Sequence, residues 1–180
     1  MMLESSHLKV VPLTTHIPLK LVSKKLDYDT VIRKVSILNE QLINLYNIKK
    51  PKIFVSGLNP HSGDNGKIGI EEKYLINPAI NELKKMNINV NGPIPGDTLF
   101  QTEIRKMYDV GVCMYHDQAL IPIKALYSGN IINVTLGLDF IRTSPDHGTA
   151  IDIAGKNIAN PKSLILAIKK ASYLANAKKK

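Results

Sequence analysis

The sequence predicts an α/β fold, a mostly parallel sheet with flanking helices. Short apolar runs of strand length alternate along the chain with longer stretches whose apolar residues recur at helical spacing. Polar residues gather where the strand-like runs end. At 180 residues, 44% apolar and 22% charged, the chain can bury a core without disulfides or a structural metal.

Leu8–Thr14 reads as a strand ending at a polar Thr-Thr-His. Asp29 is expected to cap a helix running to about Tyr46, with Val31, Val35, Leu38, Leu42 and Leu45 on one face. Lys52–Ser56 is a short strand that enters a loop, because residues 57–69 hold four glycines, one proline and two asparagines. A second helix is expected from about Ile70 to Met86, entered through Glu71 and Glu72, whose charges suit a helix N-terminus. Asn91–Pro95 reads as a turn, and Asp97 is placed to open a short helix. Val110–Tyr115 and Ile131–Leu136 are further strands, and Ser163–Ala175 is a final amphipathic helix with a basic tail.

The formal charge is +9, yet seven lysines sit in the short runs Lys24–Lys25, Lys49–Lys50 and Lys178–Lys180, and aromatic residues make up only 6%. Nucleic-acid modules pair basic stripes with stacking aromatics or arginines, a combination missing here, so no nucleic-acid partner is expected. The charge would still attract phosphorylated or carboxylated small molecules. No apolar run approaches the roughly 20 residues of a membrane span. The first nine residues carry Glu4 and His7 and lack a signal-peptide pattern. These features, with the single cysteine, suggest a cytoplasmic protein that does not engage membranes. Cys113 lies in an apolar strand and is read as a buried, inert thiol.

Three histidines stand directly after predicted strands: His16, His61 and His116. They are 45 and 55 residues apart, so no short metal motif links them. In an open α/β sheet, however, loops at the carboxyl ends of neighbouring strands converge on one crevice. Three imidazoles meeting there with a vacant position would make a catalytic metal site; otherwise they are separate loop histidines with ordinary hydrogen bonds. Asp97 and Asp117 could each orient an imidazole or cap a helix.

Six motifs then make the pattern specific. Thr14-Thr15-His16-Ile17-Pro18-Leu19, Gly57-Leu58-Asn59-Pro60-His61-Ser62-Gly63 and Asp97-Thr98-Leu99-Phe100 resemble, in order and spacing, the 4-hydroxythreonine-4-phosphate dehydrogenases of vitamin B6 synthesis. So do Met114-Tyr115-His116-Asp117-Gln118, Asn133-Val134-Thr135-Leu136-Gly137, and Phe140-Ile141-Arg142-Thr143-Ser144 with Asp146-His147-Gly148-Thr149-Ala150. The resemblance implies that His16, His61 and His116 bind one divalent metal (Zn, Mg or Co), one of them coming from the partner subunit of a homodimer. It also implies that Lys124, Asn133 and Arg142 contact a phosphorylated substrate, the cations suiting its anionic group. Lys124, Asp97 and Asp117 are the candidate catalytic residues. Gly96 and Ala119 depart from the family's usual wording without removing a candidate ligand.

His147-Gly148-Thr149-Ala150-Ile151-Asp152-Ile153-Ala154-Gly155-Lys156, continuing to Asn160-Pro161, is similar to the cofactor loop of the isocitrate and isopropylmalate dehydrogenases. That likeness implies cofactor contacts at His147, Gly148, Asp152 and Asn160. An acidic Asp152 near the ribose would favour NAD over NADP; alternatively Asp152 only caps the turn.

Together these resemblances imply an isocitrate/isopropylmalate dehydrogenase-like fold, truncated at the N-terminus. Residues 1–145 would be a metal- and substrate-binding α/β domain, and 146–180 the cofactor loop and C-terminal helix of a first domain otherwise outside the sequence. A His-Thr pair that contacts substrate in the family would lie in that outside half. The implied reaction is NAD- and metal-dependent oxidation of 4-phosphooxy-L-threonine to 2-amino-3-oxo-4-phosphooxybutanoate, which decarboxylates to 3-amino-2-oxopropyl phosphate. The alternatives are a 4-phospho-D-threonate or 4-phospho-D-erythronate dehydrogenase, and an inactive remnant that only dimerises or binds metal.

Overall fold

The computed structural model describes residues 1–177; the lysines at 178–180, part of the expected basic tail, lie outside the described residues. Seven strands form one sheet: β1 (Met2–Glu4), β2 (Lys9–Pro12), β3 (Ile53–Ser56), β4 (Val90–Ile94), β5 (Val110–Cys113), β6 (Ile132–Thr135) and β7 (Arg142–Pro145). Their order is β4-β3-β5-β2-β1-β6-β7. β4, β3, β5 and β2 are parallel neighbours. β1 runs antiparallel to both β2 and β6, and β7 antiparallel to β6. Five of the seven strands therefore share one direction. The two reversed strands, β1 and β7, are not predicted by the sequence reading, since each is too short for a period-2 pattern to emerge.

Helices cover both faces: α1 (Val22–Lys25), α2 (Tyr28–Tyr46), α3 (Asn77–Lys85), α4 (Gly96–Leu99), α5 (Thr102–Arg105), α6 (His116–Tyr127) and α7 (Lys162–Ala177). Strand alternation divides the core accordingly. Met2, Val11, Ile53, Val55, Val110 and Val112 join the α2, α3 and α7 side chains in one cluster. Leu3, Val10, Phe54 and Cys113 join Leu99, Ala119 and Ile123 in the other. Cys113 is buried as expected, and that burial pushes its thiol well above the usual range.

Three local expectations are corrected. The N-cap of α2 is Asp27, not Asp29: in extended backbone, its carboxylate accepts from Thr30 N and Thr30 Oγ1, each at 2.7 Å. The second helix opens with a π turn, Glu72–Ile76, before α3. Glu72 is turned inward and buried rather than stationed at a solvated helix end. Asn91–Pro95 is not a turn but falls largely within β4, where Pro93 is tolerated because β4 is an edge strand. Gly92 is required there: a Cβ would lie 2.3 Å from Val55 O, at a φ of +138°.

Candidate active site at the strand ends

Because β2, β5 and β3 are adjacent and parallel, the segments leaving them emerge at one end of the sheet. His16, His61 and His116 lie in those segments. His16 and His116 meet, with ring centroids 5.5 Å apart. Both line a cavity of about 410 Å³ with Lys124, Asn133, Asp146 and His147. His116 opens α6, and its Nδ1 lies 2.6 Å from Asp117 Oδ1, so Asp117 orients that ring and leaves Nε2 as the other nitrogen.

His61 is presented differently. Residues 61–65 adopt left-handed backbone throughout, with φ from 41° to 79°. Four of the five are not glycine, and such geometry costs roughly 1–2 kcal/mol per residue. Buried Glu72 offsets that strain: its Oε1 accepts from Leu58 N and Asn59 N at 2.7 Å, and its Oε2 from Asn59 Nδ2 at 2.9 Å. Gly63 fits against it only for lack of a side chain, since a Cβ would stand 2.7 Å from Glu72 Oε2. His61 lines a neighbouring cavity of about 390 Å³ with Asp97, Tyr115 and Gln118. Asp97 sits in the first turn of α4, but that helix has no side-chain cap bond.

The structure thus pairs His16 with His116 and sets His61 in the next cavity. Among the described residues, no group of three or more His, Cys, Asp or Glu side chains is placed to hold a metal ion. Two imidazoles fit a divalent metal in donor chemistry, but one chain brings too few donors together.

The substrate candidates also divide. Lys124 Nζ lies 3.1 Å from Asp146 Oδ1 beside the histidine pair. Asn133 Oδ1 is buried without a hydrogen-bond partner in the same cavity. Arg142 instead donates to Thr135 Oγ1 at 2.8 Å and lines a separate cavity with Glu40, Asp139 and Phe140. In the loop expected to bind cofactor, His147 and Gly148 border the histidine cavity. Asp152 is exposed in the short turn Ile151–Ile153, whose N-cap, Ala150, makes no side-chain bond. Asn160 Oδ1 accepts from Lys162 N at 3.0 Å, at the start of α7.

Sequence reasoning gave no part in the site to Glu72, Asp146 or Gln118. Gln118 directly follows the His-Asp pair, a positional signal. Glu72 has no such signal, because an acidic pair before a helix normally reads as solvated.

The model of the family "Pyridoxal phosphate biosynthetic protein PdxA" matches residues 1–171. The chain belongs to the PdxA family. A 4-hydroxythreonine-4-phosphate dehydrogenase from Bradyrhizobium diazoefficiens is 51% identical over 178 residues, covering 99% of this chain and 52% of the relative. The crystal structure of 4-hydroxythreonine-4-phosphate dehydrogenase from Klebsiella pneumoniae superposes with a TM-score of 0.86 at 39% identity, over 97% of this chain and 53% of that one. A terephthalate 1,2-cis-dihydrodiol dehydrogenase from Burkholderia xenovorans LB400 shares the fold at a TM-score of 0.77 and 30% identity, over 96% of this chain and 54% of that one. The chain therefore spans about half the length of the PdxA relatives it matches. It has the isocitrate/isopropylmalate dehydrogenase-like fold of these PdxA neighbours. No helix of the described residues is long and apolar enough to cross a membrane.

Proposed function

We propose that this PdxA chain provides the metal- and substrate-binding part of an NAD-dependent dehydrogenase acting on 4-phosphooxy-L-threonine. The observation that carries this reading is the cavity where His16 and His116 meet Lys124, unpartnered Asn133 Oδ1 and the start of the His147–Gly148 loop. His16 and His116 of one chain, with His61 of a second copy, would hold a divalent ion, and the homodimer would then be the functional unit. When bound, such an ion polarises the hydroxyl to be oxidised and lowers its pKa.

The chain's own residues do the remaining positioning. Lys124 supplies the cation for the substrate phosphate, with Asp146 fixing its ammonium. Asn133 Oδ1 accepts from a substrate hydroxyl or ammonium, which removes the cost of a buried, unpaired acceptor. Asp117 keeps the His116 ring in one orientation. Asp97 lines the His61 cavity and is the candidate acid–base group on that side. Arg142 lines a different cavity and spends one donor on Thr135, so its contact with the phosphate would form on binding. The loop from His147 and Gly148 through Asp152 to Asn160 takes the adenosine end of NAD, and Asp152 disfavours the 2′-phosphate of NADP. NAD bound there would supply the acceptor for hydride from carbon 3, with the hydroxyl proton leaving to a base, and the β-keto acid product would lose CO₂ to give 3-amino-2-oxopropyl phosphate.

The second reading is a 4-phospho-D-threonate or 4-phospho-D-erythronate dehydrogenase. Among the described residues lining the histidine cavity, the carboxylate is Asp146, and Lys124 already engages it rather than a substrate ammonium. Comparing kcat/KM for the amino and hydroxy substrates separates the two. For the metal, elemental analysis of wild type and of His16→Ala, His61→Ala and His116→Ala is the test. One ion per chain in wild type and loss in every variant is expected; equal content in all four proteins sinks the site.

A further inference from the structure

We propose that Gln118 is a positioning residue that fixes the His61 loop against the His16–His116 pair. β5 ends at Cys113, and the next peptide, at Met114, is gripped on both sides. Met114 N donates to Gln118 Oε1 at 2.7 Å. Met114 O accepts from Thr14 N at 3.1 Å and Thr14 Oγ1 at 2.8 Å, two residues before His16. From the other end of its amide, Gln118 Nε2 donates to Gly57 O at 2.8 Å, where the His61 loop begins. Ser56 Oγ, at the end of β3, adds a bond to Gln118 Oε1 at 2.8 Å. One side chain and one peptide therefore tie together the ends of all three histidine-bearing segments.

Only an amide satisfies this arrangement. The oxygen faces two donors, whereas the nitrogen faces a carbonyl acceptor; a carboxylate would keep the first set and repel Gly57 O. Room for rearrangement is small, because a Cβ on Gly96 would already lie 3.1 Å from Gln118 Nε2. The His61 loop is thus held from two directions, with Glu72 gripping the Leu58 and Asn59 amides and Gln118 the Gly57 carbonyl. Strained backbone persists where its surroundings over-determine it, and residues 61–65 meet that condition.

The effect of Gln118 on metal affinity rests on the three-histidine site proposed above; its effect on the His61 loop does not. The test uses the full chain and three proteins: wild type, Gln118→Glu and the control Lys170→Met, which removes an ion pair to Glu4 outside this network. Imidazole ¹H–¹⁵N spectra without metal are expected to show His61 signals shifted and broadened in Gln118→Glu and unchanged in the control. Cobalt titration is expected to show affinity reduced about 10- to 100-fold in Gln118→Glu. A lowered Tm with unchanged His61 signals overturns the proposal, since that is what a merely structural residue would give. If wild type binds no cobalt while His61 still shifts, the loop-positioning role stands and the metal site falls. If Gln118→Glu does not fold, Gln118→Met, which removes all three side-chain bonds without a new charge, is read by the same spectra and the same criterion.

Discussion

Lys170 on the last helix donates to the Glu4 carboxylate on the first strand at 2.6 Å, across 166 residues of sequence. The same carboxylate accepts from Tyr46 Oη at 2.6 Å, so a nearly buried acid joins β1, α2 and α7. Lys170→Met leaves that acid with the tyrosine alone. Breaking a buried pair costs about 3–5 kcal/mol; with the Lys170 side chain 23% exposed, about 2 kcal/mol is expected. Urea denaturation measures it, and a loss under about 0.5 kcal/mol, the range of an ordinary surface change, would make the contact incidental.

The tyrosine gives this cluster a pH dependence. Burial, then the Glu4 charge, pushes the Tyr46 hydroxyl above its usual value. A group whose folded pKa is raised stabilises fully below its unfolded value and loses that contribution as pH climbs toward the folded one. The loss is therefore expected to begin near pH ~10. In Tyr46→Phe the alkaline decline should flatten relative to wild type, as followed by thermal melts from neutral pH upward; identical profiles would show that this hydroxyl does not drive it.

Glu72→Ala leaves the Leu58 and Asn59 backbone amides without their acceptor, while Asn59 Nδ2 keeps its bond to Glu71 Oε2 at 2.8 Å. With a buried unpaired group costing roughly 1–3 kcal/mol, we expect destabilisation of about 3 kcal/mol and weaker metal binding. Hydrogen exchange at Leu58 and Asn59 should accelerate. Protection equal to wild type would mean that the left-handed turn holds itself.

A metal site shared between two copies has a stoichiometric signature. Neither His61→Ala nor His116→Ala should bind metal alone, because each homodimer lacks one ligand in both sites. Mixed together, the heterodimer pairs the intact His16–His116 of one chain with the intact His61 of the other. One ion per heterodimer is expected by elemental analysis after subunit exchange. No recovery would place all three ligands on one chain or remove the site.

Asp152 is exposed and free of a capping role, so it can meet a ribose. Asp152→Ser should narrow the NAD-to-NADP affinity ratio by removing an anion from the neighbourhood of the 2′-phosphate. Calorimetric titration of both dinucleotides reads this directly, with an unchanged ratio ruling against the assignment.

The sequence by itself determined the α/β layout and the long helix. Val31, Val35, Leu38, Leu42 and Leu45 recur at helical spacing and are all buried. It also marked the three histidines as following strands, because alternation and strand ends are local properties of the chain. Tertiary structure alone decided which histidines meet. His16 lies beside His116 because β2 pairs with β5, a pairing across a hundred residues that no periodicity encodes. The same holds for Glu72: a widened helical turn rotates it inward to amides 13 and 14 residues earlier. Likewise, Asn91–Pro95 has turn-forming residues, yet β3 captures the segment as an edge strand, where pairing outweighs local propensity.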